Sequence, residues 1–153
     1  MLLNILIFGI LIAFVIAKLE INIEGKNGWA ENLPTWRRKN FLTKMIWGEL
    51  PITGYHLWFL AMIEIFLHFP FVTGATWSIG LELQIQAMFL LATVIEDFFW
   101  FVLNPEFGFK KFNKFHARWH EGWVGPVPYF YLRLLSLSGL FLAISLYTGT
   151  RLS

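Results

Sequence analysis

Six side chains between His56 and Glu121 have the types that hold metal ions and move protons: His56, Glu96, Asp97, His116, His120 and Glu121. Imidazole and carboxylate together suit Zn, Fe or Mn. His116 and His120 stand at i and i+4, so both can ligate one ion from one helical face. Ala117 follows His116 where a zinc-protease motif needs glutamate, so this is not that signature. The bundle di-iron pattern needs Glu-x-x-His on each of two helices and is also absent. So are a glycine-rich phosphate loop, a nucleophile elbow and the dense histidine boxes of membrane desaturases. The expected chemistry is therefore a divalent transition metal (Zn, Fe or Mn) held by His56, His116 and His120. Glu96, Asp97 and Glu121 supply the remaining ligand and a general base.

The elements that must position these groups are membrane helices. The chain has 153 residues, 57% apolar and only 14% charged, with a mean hydropathy of +0.59. Soluble domains run nearer about 25% charged. The apolar residues fall in runs long enough to cross a bilayer. With no cysteine, disulfides, iron–sulfur clusters and thiolate chemistry are excluded. The net charge of +2 fits loops facing anionic lipid, not a nucleic-acid surface.

The expected fold is an all-α integral membrane protein, one domain with four transmembrane helices at about 2–22, 54–72, 79–103 and 129–148. No Lys or Arg precedes the first run and no small-residue cleavage site follows it, so it is read as a retained helix. Two short amphipathic segments, 33–47 and 109–121, should lie at the headgroup level. Lys26, Arg37, Arg38, Lys39 and Lys44 sit in the first long connection, and Lys110, Lys111, Lys114 and Arg118 in the second. The turn at 71–76 is uncharged. The positive-inside rule then places both long connections in the cytoplasm and both termini outside, in the cell membrane. Tryptophans and tyrosines gather at the same basic boundary, as interfacial rings do.

On the third span at about 100° per residue, Glu82, Gln86, Thr93, Asp97 and Asn104 fall within about 60° of one another, with Glu96 about 40° to the other side. Such a stripe belongs in the bundle interior, because an ionised group facing lipid costs several kcal/mol. The second span runs antiparallel, which brings His56 level with Glu96 and Asp97, and His68 level with Gln86. Glu64 lies between and shares a face with His68. The first span is read as offering only Asn4, and the fourth only Ser136, Ser138 and Ser145.

The leading functional expectation is a small membrane enzyme acting on a lipid-soluble or interfacial substrate at the cytoplasmic mouth. A proton or solute path along the stripe is the alternative; it needs a homo-oligomer, because four spans make a narrow pore. A third reading is a non-catalytic accessory subunit of a membrane complex. Structural roles compete at each position: His116 and His120 as headgroup-level residues, Glu96 and Asp97 paired with Arg133 or Arg118, and Glu64–His68 hydrogen-bonded with Gln86. The phrase from Gly28 to Trp36 has no mechanism on sequence grounds.

Overall fold

The computed structural model describes residues 2–41, 43–44, 48, 50–120 and 122–151. It is mostly helical. Four helices dominate: α1 (Leu2–Glu24), α2 (Gly54–Leu67), α3 (Ile79–Leu103) and α4 (Tyr129–Arg151). Three of them, α1, α3 and α4, are long and apolar enough to cross a membrane.

The central helix is α3, with α1 along one side and α4 along the other. Its start is set by Ser78, whose hydroxyl accepts from Leu81 N at 3.1 Å, and Glu82 in the first turn complements the helix dipole. Its end is set by Asn104, held in extended backbone as a residue before proline prefers. Asn104 is fully buried and structural: Nδ2 donates to Gly25 O at 2.8 Å, and Oδ1 accepts from Glu106 N.

Small residues let α1 approach. Ala13 and Ala17 are fully buried, and a Cβ at Gly9 would fall 2.2 Å from Met88 Sδ. On the other side, hydroxyls fasten α4: Ser138 Oγ donates to Ala87 O and Ser145 Oγ to Gly80 O, each at 2.7 Å. Gln84, which falls off the α3 stripe, donates to Ser145 Oγ at 3.0 Å. Polar pairs between apolar helices are the expected fastening in hydrocarbon, where few other partners exist.

The second span departs from the expected 54–72. Helix α2 stops at Leu67, and a separate helical turn covers Phe69–Val72. Pro70 is the cause: it has no N–H, and its ring would meet the Phe66 carbonyl in a continuous helix. At about 1.5 Å per residue the 14 residues of α2 fall short of a bilayer core.

The expected helix at 109–121 is also corrected. Among the described residues of that segment, a 3-10 turn, Phe109–Lys111, is the only helical piece. Gly108 takes a positive φ of 66°. The Asn113 side chain then accepts from Phe115 N at 3.0 Å and faces His116 Nδ1 at 2.9 Å, competing with helix propagation. The result is a run of turns that buries Ala117 and His120 against the bundle end, half-buries Trp119 there and leaves Phe115 exposed. In the first segment, residues 42 and 45–47 lie outside the described residues. Arg37–Arg38 (β1) pairs antiparallel with Ile52–Thr53 (β2). A second pair, Trp123–Val124 (β3) with Val127–Pro128 (β4), turns through Gly125 at φ 58° and leads directly into α4.

Candidate functional site

At the basic end of the bundle, two helices each bring two carboxyl groups to one cavity. Glu20 and Glu24, one turn apart on α1, are both buried. Glu96 and Asp97 come from the last turns of α3. The cavity they line has a volume of about 60 Å³ and also meets His56, Thr93 and Trp100. That is room for an ion with a water or two, since a water occupies about 30 Å³.

His56 stands in the first turn of α2, started by Thr53, whose hydroxyl accepts from His56 N at 3.1 Å. The same hydroxyl pairs with His56 Nδ1 at 2.8 Å. That leaves Nε2 directed at Glu24 Oε1, 3.8 Å away. Trp29 stacks on the imidazole, centroids 4.4 Å apart and planes at 27°. The backbone that delivers Trp29 is strained: Trp29 and Ala30 hold φ of 56° and 52°, a region non-glycine residues rarely enter. Three contacts hold them there. Ala30 N donates to Glu24 Oε1, Trp29 Nε1 donates to Pro51 O at 2.9 Å, and Arg37 donates to Ala30 O. Gly28 lies flush on Trp119, where a Cβ would come within 2.6 Å of the ring.

Asp97 organises the other wall. His120 Nε2 lies 3.0 Å from Asp97 Oδ2, and Tyr131 Oη donates to the same oxygen. His120 is buried, with Phe130 stacked beside it at 5.9 Å and Trp123 Nε1 donating to its carbonyl at 3.2 Å.

The cluster is not saturated. Glu20 lies beside Glu96 and the Tyr55 hydroxyl, and Trp100 Nε1 faces Glu24. Yet Tyr55 Oη, Glu96 Oε1 and Trp100 Nε1, all buried, complete no hydrogen bond among the described residues. An acceptor and a donor of the cavity wall, Glu96 Oε1 and Trp100 Nε1, are thus both unmatched, as are Glu64 Oε2 and Gln84 Oε1 elsewhere in the bundle; buried polar groups generally find partners. Among the described residues, no three His, Asp or Glu side chains already converge closely enough to grip an ion.

The structure brings some of the expected site residues together and separates others. His56, Glu96, Asp97 and His120 come together here. His116 does not: it is exposed, with Nδ1 2.9 Å from Asn113 Oδ1. Glu121 lies outside the described residues. The upper part of the stripe makes a separate cluster at the opposite end of α3. Gln86 Nε2 donates to Glu64 Oε1 and to Glu82 Oε1, while His68 Nε2 lies 3.2 Å from Glu82 Oε1. Glu82 is therefore engaged, and Trp77 Nε1 also donates to it. Thr93 lines the cavity while its hydroxyl donates to Phe89 O.

The first-span expectation is corrected as well: α1 contributes Glu20 and Glu24, not Asn4 alone. Their spacing of four residues, continuing the Gly9, Ala13 and Ala17 face, was the available signal. Comparison with known proteins finds no matching family model, no significantly similar curated protein and no significantly similar solved structure.

Proposed function

We propose that this chain is a small multi-pass membrane enzyme that holds a divalent transition metal among Glu20, Glu24, Glu96 and Asp97, with His56 and His120 at the edges. The observation that carries the reading is the meeting of two carboxyl pairs from two helices around one cavity, with Glu96 Oε1 and Trp100 Nε1 unmatched within it. Ionised carboxylates away from water cost several kcal/mol each unless positive charge offsets them. A divalent cation offers that charge, and oxygen donors with imidazole suit Mn, Fe or Zn. A bound metal would make its water acidic enough to act at neutral pH, and a carboxylate left unligated would serve as general base. The site lies at the membrane surface end of the bundle, which favours a lipid-soluble or interfacial substrate. His116 has no part in this reading.

The transport reading draws less support. Between the two polar clusters the interior is filled by Ile16, Ile63, Ile85 and Met88, packed against one another, and Thr93 is turned to its own helix backbone.

Trp29, Trp100 and Trp119 line the cavity, so a paramagnetic ion entering it should quench tryptophan fluorescence. Titrating the detergent-solubilised protein with Mn(II) is expected to give saturable quenching. Glu24→Gln/Glu96→Gln should weaken it by roughly tenfold or more, as loss of metal-site partners does, while His116→Ala should leave it unchanged. Non-saturable quenching in a folded wild type, or quenching indifferent to the carboxylate pair, would sink the metal site.

A further inference from the structure

Above the acidic cavity lies an open groove of about 500 Å³. Gly28, Trp29 and Trp119 belong to the walls of both, so the groove and the cavity share one wall. Its rim is basic: Lys26, Arg37 and Arg118, with His116 beside them and Glu31 the one opposing carboxylate among the described lining residues. Lys26 and Arg118 are exposed and make no ion pair among the described residues. Arg37 spends its guanidinium on the carbonyls of Thr35, Ala30 and Glu31, which fixes its position without cancelling its charge. A basic rim over an aromatic floor, at the level where Phe115 is 72% exposed, complements an anionic headgroup at the membrane surface.

From this juxtaposition we infer that the groove binds the phosphate-bearing headgroup of an anionic lipid, and that this lipid is the substrate class presented to the cavity beneath Trp29 and Trp119. The substrate assignment rests on the cavity being a reaction site; the headgroup site itself stands on the groove alone. The segment from Gly28 to Trp36 gains a role here. Its left-handed Trp29–Ala30 pair sets the indole in the wall shared by groove and cavity, and it leads into Arg37 on the rim.

The test uses the full chain in neutral detergent, titrated with short-chain phosphatidic acid and, for comparison, phosphatidylcholine. Binding is read by tryptophan fluorescence. Phosphatidic acid is expected to bind roughly tenfold more tightly, and Lys26→Gln/Arg118→Gln to erase that preference, in keeping with the attraction of surface cations for anionic lipid. Lys110→Gln/Lys114→Gln removes equal charge outside the groove and should keep the preference. Metal content of Lys26→Gln/Arg118→Gln should equal wild type, which separates failure of this site from failure of the metal reading. Preference for phosphatidic acid in a metal-free wild type would leave the headgroup site and remove the substrate assignment. No preference, an equal loss in both double variants, or displacement of the lipid by millimolar inorganic phosphate would overturn the lipid headgroup site.

Discussion

Asp97→Ala is expected to lower the stability of the folded protein by about 3 kcal/mol, because removing one partner of a buried pair strands the other. Two groups are stranded at once: His120 Nε2, 3.0 Å from the carboxylate, and the Tyr131 hydroxyl. Both belong to buried residues, so neither regains full solvation when the carboxylate goes. Asp97→Asn keeps the shape and one acceptor oxygen, and should cost about 1 kcal/mol, the scale of a single exchanged hydrogen bond. Unfolding in detergent mixtures, followed by tryptophan fluorescence, measures both. If the alanine variant stayed within about 0.5 kcal/mol of wild type, the surface-substitution range, Asp97 would not organise this wall.

The second large effect falls on Phe101, whose side chain is wholly buried. It stacks on Trp119 at 5.2 Å with planes 13° apart, and meets Phe112 at 5.0 Å and Phe107 at 5.7 Å edge-on. These rings are what hold the turns of 107–120 against the end of α3. Phe101→Ala leaves a cavity under them and should cost about 3–5 kcal/mol. The loss should appear first as greater protease sensitivity of 107–120, since that segment has little regular structure of its own. Phe115→Ala, on the exposed side of the same segment, should stay within about 0.5 kcal/mol of wild type. Equal effects from the two would mean the aromatic cluster does not anchor the segment.

The parts of this architecture that follow from long apolar periodicity were legible in the chain. Ile79–Leu103 is bounded by a serine cap and an Asn-Pro, both local signals, and the structure uses both. Matching depths across the short turn brought His56 to the level of Glu96 and Asp97, because antiparallel neighbours obey simple geometry, but at the other end it missed by a turn: His68 meets Glu82, and Gln86 meets Glu64. Three things were not legible for physical reasons. The spacing of Phe112, Phe115, Trp119 and Trp123 has the period of an amphipathic helix, yet the side chain of Asn113 and the freedom of Gly108 offer the backbone turns instead, and the stacking of a half-buried Trp119 on Phe101 favours them. Glu20 and Glu24 stand at the end of an apolar run, a place where carboxylates can reach water, so their types and spacing alone do not announce burial. Only the fold of 25–30 back over α1, with Ala30 N donating to Glu24, puts that end inside. The role of Trp29 likewise depends on a left-handed backbone that no local residue type announces.

On the proposed reading, the paired carboxyl groups of α1 and α3 hold a transition metal. Elemental analysis of the protein as purified without chelator, wild type beside Glu24→Gln/Glu96→Gln, addresses it directly. A metal content close to one ion per chain in wild type, lost in the double variant and kept in His116→Ala, is the expected result. A folded wild type that stays metal-free even after incubation with Zn, Fe and Mn salts would contradict it.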